Sequence, residues 1–512
     1  MLKGVLESPE VGAEPVIDSA ATDTEDRVSP SVWQFARATR AHAVIDAAPY
    51  FELMHDAMLG AKQRILLIGW DFDTRIRVGR GRRWWNIPRK DVPPARLGPF
   101  MIWLANRTPG LEVRVLKWNF GALKAFFRGT MMIDLLRWWR HPQIDFKLDS
   151  AHPLGCSHHQ KIVIIDDKFA VCGGIDMAGD RWDTRDHIEE DPRRRRPTGR
   201  LYGPWHDCTM MLEGDVAKAL GDYGRTRWEQ AGGAPMAPCK PQELSAWPAQ
   251  LRAEFRDVDV GISRTRSQYN DLSPIREVEA LFLEQIARAR KFIYAENQYF
   301  ASRKIAEAIA VRVAEPNPPE IVLVNPLSAD GWLEQTAMDG ARIQLVRSIE
   351  EKDHAHKFSV FCPYNAAGTP IYVHSKLMII DDEILRIGSS NMNNRSLGLD
   401  SECDVFIDCT LPGNGGCNGA IGRLRISLLA EHCGIGIEDV EALIGASGSM
   451  AGMIDAADKR GKTLRRFQLR ELSETEKAIA DNAVLDPEAP EEMLRFYRRR
   501  GLFSSRILRR PR

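Results

Sequence analysis

His159-Gln160-Lys161-Ile162-Val163-Ile164-Ile165-Asp166 and His374-Ser375-Lys376-Leu377-Met378-Ile379-Ile380-Asp381 are two copies of one pattern, H-x-K-x4-D, set far apart in the chain. At the same interval after each aspartate comes a turn of small residues, Gly173-Gly174-Ile175-Asp176 in the first copy and Gly388-Ser389-Ser390-Asn391 in the second. One such match in a chain of 512 residues would be weak evidence. Two matches with matched turns imply two half-sites that share one active site.

Each copy reads as the same short piece of structure. The apolar runs Ile162 to Ile165 and Leu377 to Ile380 are predicted as buried strands, with His and Lys two apart and so on one face at the strand entrance. Asp166-Asp167 and Asp381-Asp382 are turns. A second apolar stretch, Ala170 to Cys172 or Leu385 to Ile387, completes a hairpin and returns the glycine turn beside the histidine. Such an arrangement gathers a nucleophile, a cation and backbone N–H donors. A phosphodiester needs that set, because attack at phosphorus builds charge on the non-bridging oxygens while a poor leaving group must be protonated.

The duplicated motif resembles that of the phospholipase D superfamily. The likeness extends to Ile293 through Phe300 (IYAENQYF), Asn391 through Ser396 (NMNNRS), Gly173 to Asp183 with its Arg181-Trp182-Asp183, Pro204-Trp205-His206-Asp207, and Arg227-Trp228, and covers residues 33 to about 440. It implies an α/β protein of two similar α/β/α halves, each a mixed sheet flanked by helices, packed about a pseudo-two-fold axis. It also implies a catalytic motif set of His159, Lys161, Asp166, His374, Lys376 and Asp381, in which the two aspartates form turns. Two-step displacement follows: His159 attacks phosphorus, and His374 protonates the departing alcohol and then deprotonates water or an acceptor alcohol. Assigning attack to His159 rests on the resemblance alone.

Lys161 and Lys376 supply fixed positive charge in this scheme, so no metal or other cofactor is expected. Gly174, Asp176, Ser389 and Asn391 are placed around the phosphate. Asn391 has Asp176 opposite it, so the halves are not equivalent. Asp207 and Glu402 each precede an alternating apolar strand, where the family places a carboxylate against the second nitrogen of the catalytic histidine. The expectation pairs each carboxylate with the histidine of its own half, with Asp183 as a rival in the first. His158 is expected on the opposite strand face as a packed or solvated neighbour.

The repeat continues outward from the motifs. Ala61 to Ile68 and Ala289 to Tyr294 each end a helix and open a strand. Tyr50, Phe51, Met54, Ala57 and Met58 mark the first helix face; Val278, Leu281, Phe282 and Ile286 mark the second, with Ser273 as N-cap and Pro274 at the first helical position. Strands Val113 to Leu116 and Ile321 to Val324 follow. The predicted organisation is a flexible tail over residues 1–30, a first half over 31–230, a linker with Gly232-Gly233 and several prolines over 231–248, a second half over 249–440, and a helical, basic extension over 441–512.

Composition bounds the partners. A formal charge of zero gives no whole-molecule attraction to a polyanion, so nucleic acid is not favoured. Nine cysteines without paired spacing read as idle thiols of a reducing compartment, with no zinc site. Without a signal core or a long apolar run the chain is expected in the cytoplasm or peripheral at a membrane, with export by another route left open. This also separates it from the cardiolipin synthase branch. Gly79 to Trp85 with Arg89 and Lys90 is a candidate headgroup-facing rim. Phe126 to Arg140 reads as a core helix with a basic edge before a lipid-facing one, and Arg193 to Arg196 and the tail Arg498 to Arg512 as solvated charge. The leading expectation is a phosphodiesterase acting on a phospholipid, by hydrolysis or transfer. A nuclease comes second and a silent scaffold last, because both motif sets are complete.

Overall fold

The computed structural model describes residues 29–79, 92–119, 129–329, 332–474 and Asp486. The expected N-terminal tail lies outside them apart from Ser29 and Pro30, as do the basic tail, most of the proposed rim, and residues 126–128 of the segment Phe126 to Arg140. The first half contributes β1 (Gln34–Ile45), β2 (Arg64–Gly69), β3 (Glu112–Trp118), β4 (Ile144–Asp149), β5 (Ile162–Ile165), β6 (Phe169–Gly173), β7 (Trp205–His206) and β8 (Cys208–Gly214). The second contributes β9 (Phe255–Arg266), β10 (Ile275–Arg276), β11 (Phe292–Asn297), β12 (Glu320–Val324), β13 (Phe358–Tyr364), β14 (Tyr372–Val373), β15 (Lys376–Ile380), β16 (Ile384–Gly388), β17 (Glu402–Asp408) and β18 (Thr463–Arg466).

One mixed sheet runs through both halves in the order β4-β3-β2-β5-β6-β8-β1-β9-β17-β16-β15-β11-β12-β13-β18. Read outward from the centre the two sides match strand for strand as far as β4 and β13, and β18 has no counterpart among the described residues of the first half. β1 pairs antiparallel with β9, from Gln34 opposite Ile262 to Ala41 opposite Phe255, and the pseudo-two-fold axis passes between them. Helices cover both faces, and the alternation of side chains along each motif strand shows why. Ile162 and Ile164 join a core shared by both halves, together with Leu377 and Ile379. Val163 and Ile165 face a core of the first half alone, and Met378 and Ile380 one of the second. Strands buried on both faces read as continuous apolar runs, which is how these two appear in the sequence.

The motif hairpins close on paired aspartates. Asp166, Asp167, Asp381 and Asp382 all have positive φ, between 53° and 55°, a conformation that asparagine and aspartate tolerate better than most residues. Asp166 accepts from the main-chain N–H groups of Lys62, Gln63 and Arg64, each at 2.7 Å. Asp381 does the same for Arg290, Lys291 and Phe292 at 2.7–2.8 Å. Each aspartate therefore fastens the start of the neighbouring strand, β2 or β11, at the end of its own strand remote from the histidine. Asp167 and Asp382 pair with Arg225 and Arg425 on the helices Asp215–Gln230 and Asn418–Cys433.

Several expectations are revised. The second-half helix starts at Glu277, with Arg276 and not Ser273 at its N-cap, because Ile275 and Arg276 first pair with β9. Its apolar face is nonetheless Val278, Leu281, Phe282 and Ile286. Cys409 and Cys417 form a disulfide with Cα atoms 5.6 Å apart, brought together by the turn after β17, so the cysteines are not all free thiols. The C-terminal extension is not purely helical: after helices Ile437–Ser447 and Met450–Ala456, β18 covers the edge of β13, which would otherwise expose unpaired main-chain groups. Arg194 is buried against Asp183 instead of solvated. In the helix Met131–Trp139, Met131 and Trp138 are buried, while Ile133, Leu136 and Trp139 are exposed. No helix among the described residues is long and apolar enough to cross a membrane.

Candidate functional site

The two motif histidines meet because each half reaches into the other. β14 pairs in parallel with β7, placing Val373 beside His206, and His374 N–H donates to His206 O at 2.7 Å. The counterpart is a parallel bridge between His158 and Ser401, with His159 N–H donating to Ser401 O at 2.9 Å. These crossings set the carboxylates. His374 Nδ1 lies 2.7 Å from Asp207 Oδ2, and His159 Nδ1 lies 3.1 Å from both oxygens of Glu402. The pairing is therefore exchanged between halves, contrary to the expectation that each carboxylate serves its own half. Asp183 serves neither histidine, since it binds His187 and Arg194.

With Nδ1 donating to a carboxylate, Nε2 of each imidazole is the atom left to meet substrate. Burial, with the Lys161 and Lys376 ammonium groups adding to it, holds His159 well below the ordinary histidine range. His374 is lowered by burial and then by Lys376, Arg181 and Lys161. Both imidazoles are thus neutral before substrate arrives. The opposite pressure acts on the acids, where burial pushes Asp207 up to about 7 and raises Glu402 well above the usual carboxylate range. Burial also pulls Lys376 down to about 7.

The lysines are fixed alike and neutralised differently. Lys161 Nζ donates to His159 O at 2.6 Å, and Lys376 Nζ donates to His374 O. Lys161 then lies 3.4 Å from Asp176 Oδ2, whereas Lys376 meets the neutral Gln298 Oε1 at 3.1 Å. Asn391 Nδ2 lies 3.5 Å from the same Gln298 oxygen. Aromatic rings flank both imidazoles: Trp70, stacked on Trp118, sits edge-on to His159 with centroids 6.4 Å apart, and Trp205, stacked on Tyr372, lies 5.2 Å from His374.

Three of the residues expected around the phosphate have other work. Gly174 N–H is taken by Cys208 O, and a Cβ there would lie 2.2 Å from Asp207 Oδ1, so the glycine makes room for the carboxylate. Ser389 Oγ donates to Glu402 and accepts from Cys403 N–H, which makes it part of the Glu402 cradle with Ser396. Asp176 is an acceptor facing Lys161 and also accepts from Trp70 N–H. Asn391 keeps a side chain at the site. His158 is packed, 3.1 Å from Asp149 and bonded to Arg227. Sequence reasoning gave no role to Gln298, Ser396, Trp70 or Trp205, although they stand in or beside stretches it singled out.

This geometry supports a test of Glu402. Glutamine in its place can still accept from one serine, but its amide can present N–H to His159 Nδ1 and favour the wrong tautomer. Glu402→Gln is expected to lower kcat by about 10²-fold with the fold intact, less than loss of either histidine. Unchanged steady-state kinetics would reduce Glu402 to a strand-end charge.

The phospholipase D family profile matches residues 57–306 and 338–480, more than half of the sequence. The chain belongs to the phospholipase D family. It is 23% identical to phospholipase D alpha 1 of Nicotiana tabacum over 75% of this chain and 64% of that protein. It is 24% identical to phospholipase D1 of Saccharomyces cerevisiae over 78% of this chain and 29% of that one. The chain thus spans under two-thirds of the length of these relatives. Its fold is also similar to the crystal structure of a phosphatidylserine synthase from Haemophilus influenzae, with a TM-score of 0.54, 11% identity, and coverage of 91% of this chain and 94% of the other.

Proposed function

We propose that the protein is a phospholipase D-type phosphodiesterase that cleaves the terminal phosphodiester of a glycerophospholipid through a phosphohistidine. The observation that carries this reading is the exchanged pair of carboxylate-bound imidazoles with a lysine beside each. His159 Nε2 attacks phosphorus and the bond to the headgroup oxygen breaks, that oxygen taking a proton from His374 Nε2. Water or an alcohol then attacks, gives its proton to His374, and the P–N bond breaks to restore His159. His374 must carry a proton for the first step although burial disfavours it. The diester's negative charge and Asp207 at 2.7 Å both act to retain that proton.

Charge developing on the phosphoryl oxygens falls beside Lys161, Lys376 and the Asn391 amide. The inequivalence of the lysines gives the halves different tasks, since Asp176 already offsets Lys161. Contact with a membrane surface is supported by the exposed Ile133, Leu136 and Trp139 beside Arg137, an apolar face with cationic neighbours. A peripheral, cytoplasmic location fits that reading.

The test is incubation of the purified protein with vesicles of mixed phosphatidylcholine, -ethanolamine, -serine and -glycerol, with released headgroups identified by mass spectrometry. Phosphatidic acid and at least one headgroup are expected. Cleavage of DNA with every lipid class untouched would overturn the substrate and leave the two-histidine chemistry standing.

A further inference from the structure

Arg181 lies close to His374, and phosphodiester cleavage as written above gives it no task. Its guanidinium sits over the Trp205 ring with Cζ 4.5 Å from the centroid, and the centroid of that ring is 5.2 Å from that of His374. The lysines of the site are pinned to main-chain carbonyls within their own motifs. Arg181 is not: it forms no ion pair among the described residues, its Nε is buried without a hydrogen-bond partner there, and Nη1 reaches only the carbonyl of Asp180 at 3.3 Å. The carboxylates that could neutralise it are taken. Asp180 pairs with Arg196 at 2.9 Å, Asp183 with Arg194 at 3.0 Å, and Asp207 with His374 at 2.7 Å. A guanidinium partly withdrawn from water and left without a counter-ion is a place for an anion.

The loop that carries Arg181 is held on both sides of it. Asp180, at φ 62°, makes a turn fastened by Arg196, and Asp183 fastens the other side through Arg194 while accepting from Trp205 N–H at 2.8 Å. One carboxylate therefore sets both the loop and the ring on which the guanidinium rests. The aromatic wall continues toward the motif residues: Tyr372 stacks on Trp205 with centroids 4.6 Å apart, its OH accepts from Gln298 Nε2 at 2.9 Å, and Gln298 Oε1 accepts from Lys376 Nζ at 3.1 Å. A planar fork held in this way loses little freedom when it takes up an anion.

Its place decides which part of the substrate it meets. The headgroup oxygen departs with the proton of His374 Nε2, so the rest of the headgroup lies on the His374 side of the site, where Trp205, Tyr372 and Arg181 stand. An ammonium headgroup would gain from cation–π contact with an open aromatic face, but at Trp205 a guanidinium already lies over the ring. Like charge then disfavours choline and ethanolamine. A headgroup that carries a carboxylate meets the opposite situation, because the guanidinium fork matches it with two parallel N–H donors. An acceptor alcohol enters where the leaving alcohol departed and is subject to the same selection.

Given phosphodiester cleavage with His374 as the acid, on which this assignment rests, we infer that Arg181 selects the headgroup by binding an anionic group on the leaving or incoming alcohol, as in the carboxylate of serine. The contact also serves the chemistry. Arg181 stands with Lys376 and Lys161 among the cations that, after burial, hold His374 low, while Asp207 is the carboxylate bonded to it. A carboxylate seated on Arg181 offsets one of those charges at the moment when His374 must carry a proton for the leaving oxygen.

The test is competition between dibutanoyl phosphatidylserine and dibutanoyl phosphatidylethanolamine, equimolar and monomeric in one solution with the full chain, released serine and ethanolamine being measured by mass spectrometry. Both lipids then meet the same enzyme, with no vesicle surface charge to bias them. The wild-type protein should release serine about tenfold faster than ethanolamine, the size expected of one partly exposed charge-assisted contact, with the glycerol headgroup of dibutanoyl phosphatidylglycerol between them. Arg181→Gln should bring the serine-to-ethanolamine ratio close to unity, and Arg181→Lys should leave it intermediate, since an ammonium keeps the charge without the fork. If Arg181→Gln does not fold, Arg181→Lys and the wild-type order of the three lipids decide. Ethanolamine released by wild type as fast as serine, or an equal proportional loss on both lipids in a folded variant, would overturn the assignment of Arg181. Release of no headgroup at all by wild type would instead overturn the phosphodiesterase reading beneath it.

Discussion

His159→Ala and His374→Ala are each expected to reduce turnover by at least about 10⁴-fold while the protein remains folded. The size follows from the shared site. One imidazole must form and break the bond to phosphorus, while the other must give a proton in the first displacement and take one in the second. Neither half-reaction proceeds with one ring. The double variant should therefore fall no further than either single one, as for residues that act as a unit. Folding is less exposed to the change. Glu402 keeps Ser389 and Ser396 as donors when His159 is removed. Asp207 keeps Cys208 N–H at 2.8 Å when His374 is removed, and the lost partner costs about 1–3 kcal/mol. Circular dichroism and a melting curve report the fold, and initial rates on a soluble monomeric diester report turnover. Residual activity near a tenth of wild type in either folded variant would refute the shared site.

The motif strands and their hairpins were legible because the information is local. An apolar run buried on both faces, an aspartate pair able to hold positive φ, and a second apolar run specify a hairpin without reference to the rest of the chain. The family likeness then supplied the doubled fold. What the sequence did not disclose is the exchange of carboxylates. Asp207 lies in the same half as His159 and Glu402 in the same half as His374, so proximity along the chain suggested the wrong partners. Two short parallel contacts, Val373 beside His206 and His158 beside Ser401, decide the matter, and neither leaves a periodic signal. Gly174 and Ser389 were misplaced for a related reason: residue type suggested phosphate donors, while their tertiary neighbours had already taken those groups.

Phosphatidylethanol is expected when the wild-type protein turns over phosphatidylcholine or phosphatidylethanolamine in the presence of ethanol, and it should vanish with His159→Ala. If a phosphatidyl group rests on His159 between two displacements, the second step asks only for an oxygen nucleophile that can give its proton to His374 Nε2. Water and a small primary alcohol are then competitors for one intermediate. Raising ethanol should shift product from phosphatidic acid to phosphatidylethanol while headgroup release stays nearly constant wherever the first displacement limits the rate. The neutral state that burial and two lysines impose on His159 makes it a competent nucleophile at neutral pH, and Glu402 fixes Nε2 as the attacking atom. Direct in-line attack by water would predict phosphatidic acid alone at every ethanol concentration. Rapid quenching in acid-free conditions should also trap a phosphorus label on the wild-type protein, with none on His159→Ala. A label that persists in His159→Ala and disappears in His374→Ala would reverse the two roles, because the exchanged geometry gives each histidine a carboxylate and a lysine. That outcome would place the nucleophile in the second half, beside the lysine that faces a neutral amide.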